Sequence, residues 1–65
     1  MKNRLRVLRA EHAMTQADLA DRIGVSRQAV NALEVGKHAP SLDLAYRIAA
    51  AFKVRVDEVF ENPYA

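Results

Sequence analysis

Apolar residues recur along this chain three or four positions apart, and no segment alternates over the length a strand needs. Leu5 and Leu8, with Val7 beside them, mark a first helix over residues 3–12, surrounded by Arg4, Arg6 and Arg9. Ala13-Met14 breaks that stripe. Thr15 opens a second helix as its N-cap, and Asp18 stands where the partner in a capping box belongs. Leu19 and Ile23 share the inner face of this helix. Gly24, free to take a left-handed backbone, ends it. Ser26 caps a third helix with Val30 and Leu33 turned inward; Gly36 stops it and Pro40 marks a loop. Ser41 caps a fourth helix carrying the stripe Leu44, Ile48 and Phe52, where Ala45 and Ala49 allow close approach. Val54 and Val56 anchor the connection to a short fifth helix over residues 57–61, which offers Val59 and Phe60, and Pro63 blocks any long extension. The pattern predicts one all-α domain of five short helices spanning residues 1–65.

The most informative stretch is residues 16–35. Two helices joined there by a tight turn at a steep angle need a small residue where the backbones cross, and Ala20 supplies it. The turn needs a positive φ, met by Gly24, and Val25 plugs the space beneath. Val30 and Leu33 pin the second helix of the pair to the core. At about 100° per residue, Arg27, Gln28 and Asn31 then project from the opposite side, with Ala32 next to them. This outward set matches the chemistry of base edges in a major groove. Arginine suits the guanine acceptors, glutamine and asparagine suit the adenine donor–acceptor pair, and Ala32 suits a thymine methyl. On any other helix the same residues would be no more than a solvated face.

Size and charge narrow the picture further. At 65 residues the core is modest, and with no cysteine neither a disulfide nor a thiolate metal site can reinforce it. Tight helix packing and self-association remain as sources of stability. The absence of cysteine fits a reducing cytosol, no apolar run approaches the roughly 20 residues of a membrane span, and no apolar stretch follows the basic start as in a signal peptide. A cytoplasmic location is expected. Net charge is only +2, but residues 1–37 carry seven basic and four acidic side chains, and residues 38–65 three and four. The positive excess lies in the half that holds the two-helix unit, where a polyanion would bind.

Three segments carry a family resemblance: Thr15-Gln16-Ala17-Asp18-Leu19-Ala20, Gly24-Val25-Ser26-Arg27-Gln28 and Leu33-Glu34-Val35-Gly36-Lys37. Together with Pro40-Ser41-Leu42 through Val59-Phe60, they resemble the Cro/C1-type (XRE) helix-turn-helix regulators of bacteria and phages over nearly the whole chain. In size the chain is similar to short stand-alone members such as the cytolysin-operon repressor. The resemblance implies a compact lambda-repressor-like fold and sequence-specific binding to double-stranded DNA, with a repressor working as a homodimer on a near-palindromic operator. It implies that Gln16 hydrogen-bonds a phosphate with help from the helix dipole, that Ser26 and Lys37 contact the backbone, and that Arg27, Gln28 and Asn31 enter the major groove. Arg9 and Glu34 match a structural pair joining the first and third helices. Three positions depart from the pattern: Val35 where asparagine is common, Ala13 where glycine or asparagine often ends the first helix, and Arg55 where a serine-type cap often opens the last.

Other residues carry less. His12 and His38 have no further ligands at metal spacing, Ser26 has no base arranged with it, and no glycine-rich phosphate loop is present, so no enzyme, metal, cofactor or small-molecule ligand is expected. The last helix and tail, through Val56, Val59, Phe60 and Tyr64, form the expected dimer face; in the other reading Phe60 closes the core. A second functional reading is an antitoxin-type or other protein-interaction module with secondary DNA binding. Only residues 62–65 remain as a tail for such a partner. A purely structural domain leaves the Arg27/Gln28/Asn31 face without a purpose.

Overall fold

The hydroxyls of Thr15, Ser26 and Ser41 start three of the five helices in the computed structural model, which describes residues 1–65. Each of these residues is extended, and its side-chain oxygen accepts the backbone N–H three positions on, at 3.0–3.1 Å. Asp18 completes the box by accepting the Thr15 N–H at 2.8 Å. The helices are α1 (Leu5–Glu11), α2 (Gln16–Ile23), α3 (Arg27–Glu34), α4 (Leu42–Phe52) and α5 (Val56–Val59). α2 packs on α3 and α4, and α4 on α5. The expected all-α, five-helix architecture is the one observed.

One apolar cluster draws on every helix. Leu5, Leu19, Val30 and Ile48 are fully enclosed, with Phe52 and Val59 all but so. Ala20 is buried where α2 meets its neighbours, and Val25 packs half-buried against the cluster. His12 takes a packing role: its ring lies 5.1 Å from that of Phe52, and Nδ1 is 2.9 Å from the Leu8 carbonyl.

The first helix starts two residues later than the periodicity predicts, because Asn3 has another task. Its carbonyl oxygen accepts the Leu5 N–H at 3.1 Å, and its amino group donates to the Leu33 carbonyl at 2.8 Å, tying the chain start to the end of α3. Residues on either side pair with the tail: Arg4 N–H donates to Val59 O at 2.8 Å and Glu61 N–H to Lys2 O at 2.9 Å, around an antiparallel bridge between Asn3 and Phe60. That bridge also corrects the last helix. It ends at Val59 rather than residue 61, since Phe60 turns extended to join the pairing.

Four helices end in one and the same way. Beyond α1, α2, α3 and α4 a residue with positive φ reverses the chain: Ala13 (53°), Gly24 (76°), Gly36 (78°) and Lys53 (56°). In each case the next N–H reaches back to the carbonyl five residues earlier: Met14 to Arg9, Val25 to Ala20, Lys37 to Ala32, Val54 to Ala49. This closure satisfies carbonyls that the helix leaves open. Glycine adopts the conformation freely. At Ala13 and Lys53 a Cβ opposes it, at a cost of about 1 kcal/mol each. Val35 takes nothing from the closure of α3, because that closure uses backbone atoms alone. At α5 the guanidinium of Arg55 has no acceptor to cap with, and the helix start is held from the other side, by Glu58 accepting the Arg55 N–H at 2.6 Å.

Candidate nucleic-acid interface

Helix α3 owes its position to what it buries. Val30 and Leu33 sit in the core while Arg27, Gln28 and Asn31 are exposed on the opposite side and Ala32 is half-buried beside them. The turn before it is braced from α4: Arg47 donates to the Ile23 carbonyl at 3.4 Å and is itself held by Asp43 at 2.9 Å. Sequence reasoning missed this brace, since only the folded chain brings residue 47 to the end of α2. Ser26 and Lys37 are exposed at the two ends of α3. The Ser26 oxygen accepts the Ala29 N–H and keeps its own hydroxyl proton available for donation. Arg27 and Lys37 form no ion pair, whereas Arg47 and Arg55 are matched with Asp43 and Asp57. Arg27 and Lys37, next to the exposed face of α3, are therefore among the cations left free for an outside anion.

Under this face runs a polar network. The Arg9 guanidinium grips Glu34 with two donors, Nε to Oε2 and Nη2 to Oε1 at 3.0 Å, and spends a third on the Met14 carbonyl at 3.0 Å. The Glu34 side chain is only 1% exposed. Arg6, largely in solvent, adds a positive charge 3.9 Å away. Gln16, half-buried at the first position of α2, donates through Nε2 to Glu34 Oε1 at 3.1 Å and to Asn31 Oδ1 at 3.2 Å. One continuous path thus links α1, α2 and the exposed face of α3.

The charge balance follows from that geometry. Burial pushes the Glu34 carboxyl up, but the hydrogen bonds from Arg9 and Gln16 and the charges of Arg9 and Arg6 outweigh it, leaving its pKa below the ordinary value. The hydrogen bond to Glu34 raises Arg9 in turn. Asp18 is also lowered, by the backbone and side-chain hydrogen bonds of Thr15.

The structure separates the four residues expected at a dimer face. Val59 and Phe60 are 1% and 5% exposed and belong to the core, so they have almost no surface to give a partner; this corrects the sequence expectation. Val56 is half-buried and Tyr64 is 94% exposed. Beside them Leu42 and Tyr46 are 70% and 62% exposed, and with Pro40, Val54 and Tyr64 they line a groove floored by Phe60. Neither Leu42 nor Tyr46 stood out in the sequence as part of that face, because an exposed apolar residue on an amphipathic helix shows no periodic signal.

Comparison with known proteins places this geometry. A family model described as Helix-turn-helix matches residues 5–59. An uncharacterised HTH-type transcriptional regulator of Methanocaldococcus jannaschii is 52% identical over 60 residues, covering 92% of this chain and 91% of that protein. Another from Bacillus subtilis is 43% identical over 60 residues, covering 92% and 91%. Among solved structures, the restriction-modification controller protein of Aeromonas hydrophila is similar with a TM-score of 0.80 and 33% identity, over 88% of this chain and 86% of that one. The N-terminal DNA-binding domain of SinR from Bacillus subtilis shares the fold, with a TM-score of 0.80 at 21% identity over 95% and 91% of the chains.

Proposed function

The chain belongs to the helix-turn-helix family of DNA-binding transcriptional regulators, not to an enzyme family, and from that premise we propose that it is a repressor binding a near-palindromic operator as a homodimer. The observation that carries the reading is the exposed Arg27, Gln28 and Asn31 face on a helix locked from behind by Val30, Leu33 and the Glu34 network, with Arg27 free of any ion pair. Arg27 reads guanine acceptors, Gln28 and Asn31 add contacts along the same groove, and Ala32 lies against a thymine methyl. Ser26 and Lys37 hold phosphates on either side. At Gln16 both amide protons are already engaged, so its phosphate contact comes from the backbone N–H at the start of α2, which makes no hydrogen bond within the protein.

Geometry favours two copies. One chain is 31 Å along its longest axis and holds a single recognition helix, while successive major-groove half-sites lie about 34 Å apart. The apolar groove around Leu42, Tyr46, Val56 and Tyr64 is the surface we assign to the second copy. Occupying a promoter then suffices for repression, in the cytoplasm where the DNA is. No helix is long and apolar enough to cross a membrane. The test is selection of bound sequences from a random double-stranded pool, followed by the mass of the complex. A two-fold motif carrying two chains is the expected result; absence of any enriched sequence overturns the reading.

A further inference from the structure

We propose that Gln16 is a specificity-determining positioning residue: under the control of buried Glu34, it fixes which end of the Asn31 amide leads into the major groove. This rests on the reading of Asn31 as a base-contacting residue.

The argument is one of hydrogen-bond polarity. An amide has a donor end and an acceptor end, and rotation by half a turn exchanges them at little cost in shape. Glu34 removes that freedom. Its carboxylate, kept ionised by Arg9, only accepts hydrogen bonds, so the Gln16 end facing Oε1 at 3.1 Å has to be the amino group. The same Nε2 lies 3.2 Å from Asn31, so the Asn31 atom facing it has to be the carbonyl oxygen. Polarity is handed on from charge to amide to amide. The Asn31 carbonyl end is turned back toward α2, and its amino end, which has no partner in the protein, is left to lead outward from an exposed position.

An asparagine held this way behaves differently from a free one. A free side chain can present both ends to adenine, accepting from N6 and donating to N7. With the carbonyl end tethered, Asn31 acts as a donor and selects bases whose edge offers acceptors without a neighbouring donor, guanine through O6 and N7 or thymine through O4, over adenine, whose N6 amino group stands beside N7 and finds no acceptor. Gln16 sets this preference without touching a base.

The experiment compares sequence selections from a random double-stranded pool for the full chain, Gln16→Ala, Asn31→Ala and the double variant, each checked for folding by thermal melting. Gln16→Leu, which keeps the aliphatic stem, replaces Gln16→Ala should the latter not fold. Asn31→Ala identifies the base pair concerned as the one whose preference is lost. At that base pair the full chain is expected to select guanine or thymine over adenine. Gln16→Ala should cut that ratio by about fivefold or more, the lower end of what one good base contact discriminates, and should have no effect in the Asn31→Ala background. A preference at the Asn31 base pair that Gln16→Ala leaves intact overturns the proposal while leaving the base contact standing. Selection of adenine there by the full chain also overturns it. An Asn31→Ala profile unchanged at every position removes the base contact itself, and the proposal with it.

Discussion

At the scale of single residues, exposed and buried charges are expected to answer mutation in different ways. Arg27 is exposed and unpaired, so Arg27→Ala should leave stability nearly unchanged. It should weaken operator binding by about 1–3 kcal/mol and relax preference at one base pair. Lys37→Ala should instead weaken all sequences alike and reduce the slope of log affinity against log salt by about 1. Titration of binding against salt and sequence separates the two. Glu34 behaves differently because it is enclosed. Arg9→Met leaves a buried carboxylate without its main partner and should cost about 3–5 kcal/mol in denaturant unfolding. The folded-state pKa values of Glu34 and Asp18 are both depressed, so the unfolded chain binds more protons as acid is added. The stability they contribute is complete above the ordinary carboxylate range, near pH 4–4.5, and is lost as pH falls through their lower folded values. Unfolding midpoints measured from pH 6 downward should hold steady and then decline below about 4.5, less steeply for Asp18→Asn.

The helix ends give the cleanest expectations at the scale of elements. Ala13 and Lys53 take the same left-handed closure as Gly24 and Gly36 but with a Cβ in the way. Ala13→Gly and Lys53→Gly should therefore each stabilise the fold, by about 1 kcal/mol at most once the extra freedom of glycine in the unfolded chain is set against the relieved strain. Gly24→Ala should destabilise by a similar amount for the converse reason, even though the space around it is open to the nearest atom at 3.7 Å. Thermal melts of the three variants check this directly. The helix starts were legible in the sequence because a Thr or Ser cap is a local event, settled within four residues. Ala13 was legible as a departure from a family habit. Lys53 was not, since nothing within the α4 stripe announces that its closure falls on a lysine. Asn3 escaped for a different reason. Its side chain serves a carbonyl 30 residues away, and a contact of that range leaves no mark in local periodicity. The exposed face of α3 could be read from the angle between residues, but the Gln16 bond to Asn31 could not, because it depends on how two helices cross.

For the whole molecule, the question is how a core built by so short a chain relates to its assembly. Phe60 illustrates why stability and self-association must be measured apart. Its ring is 5% exposed and its backbone joins the pairing with Asn3, so the residue closes the monomer. Phe60→Ala should lower monomer stability by about 3–5 kcal/mol, a large part of what a domain of this size possesses. Any loss of dimer in that variant would follow from unfolding. Leu42 and Tyr46 are the informative pair, since they are mostly in solvent and contribute little to the monomer core. A charge placed at Leu42 is hydrated in the single chain and desolvated only when a second copy covers the groove. Leu42→Asp should therefore leave the melting temperature of dilute protein within a degree or two of the original, since surface substitutions usually cost about 0.5 kcal/mol or less. The same variant should shift sedimentation toward the monomer and weaken binding to a two-fold operator more than to an isolated half-site. If Leu42→Asp instead sediments as the unchanged chain does, and binds both DNAs as before, the partner does not sit on this groove, and the second recognition helix must be delivered by another surface.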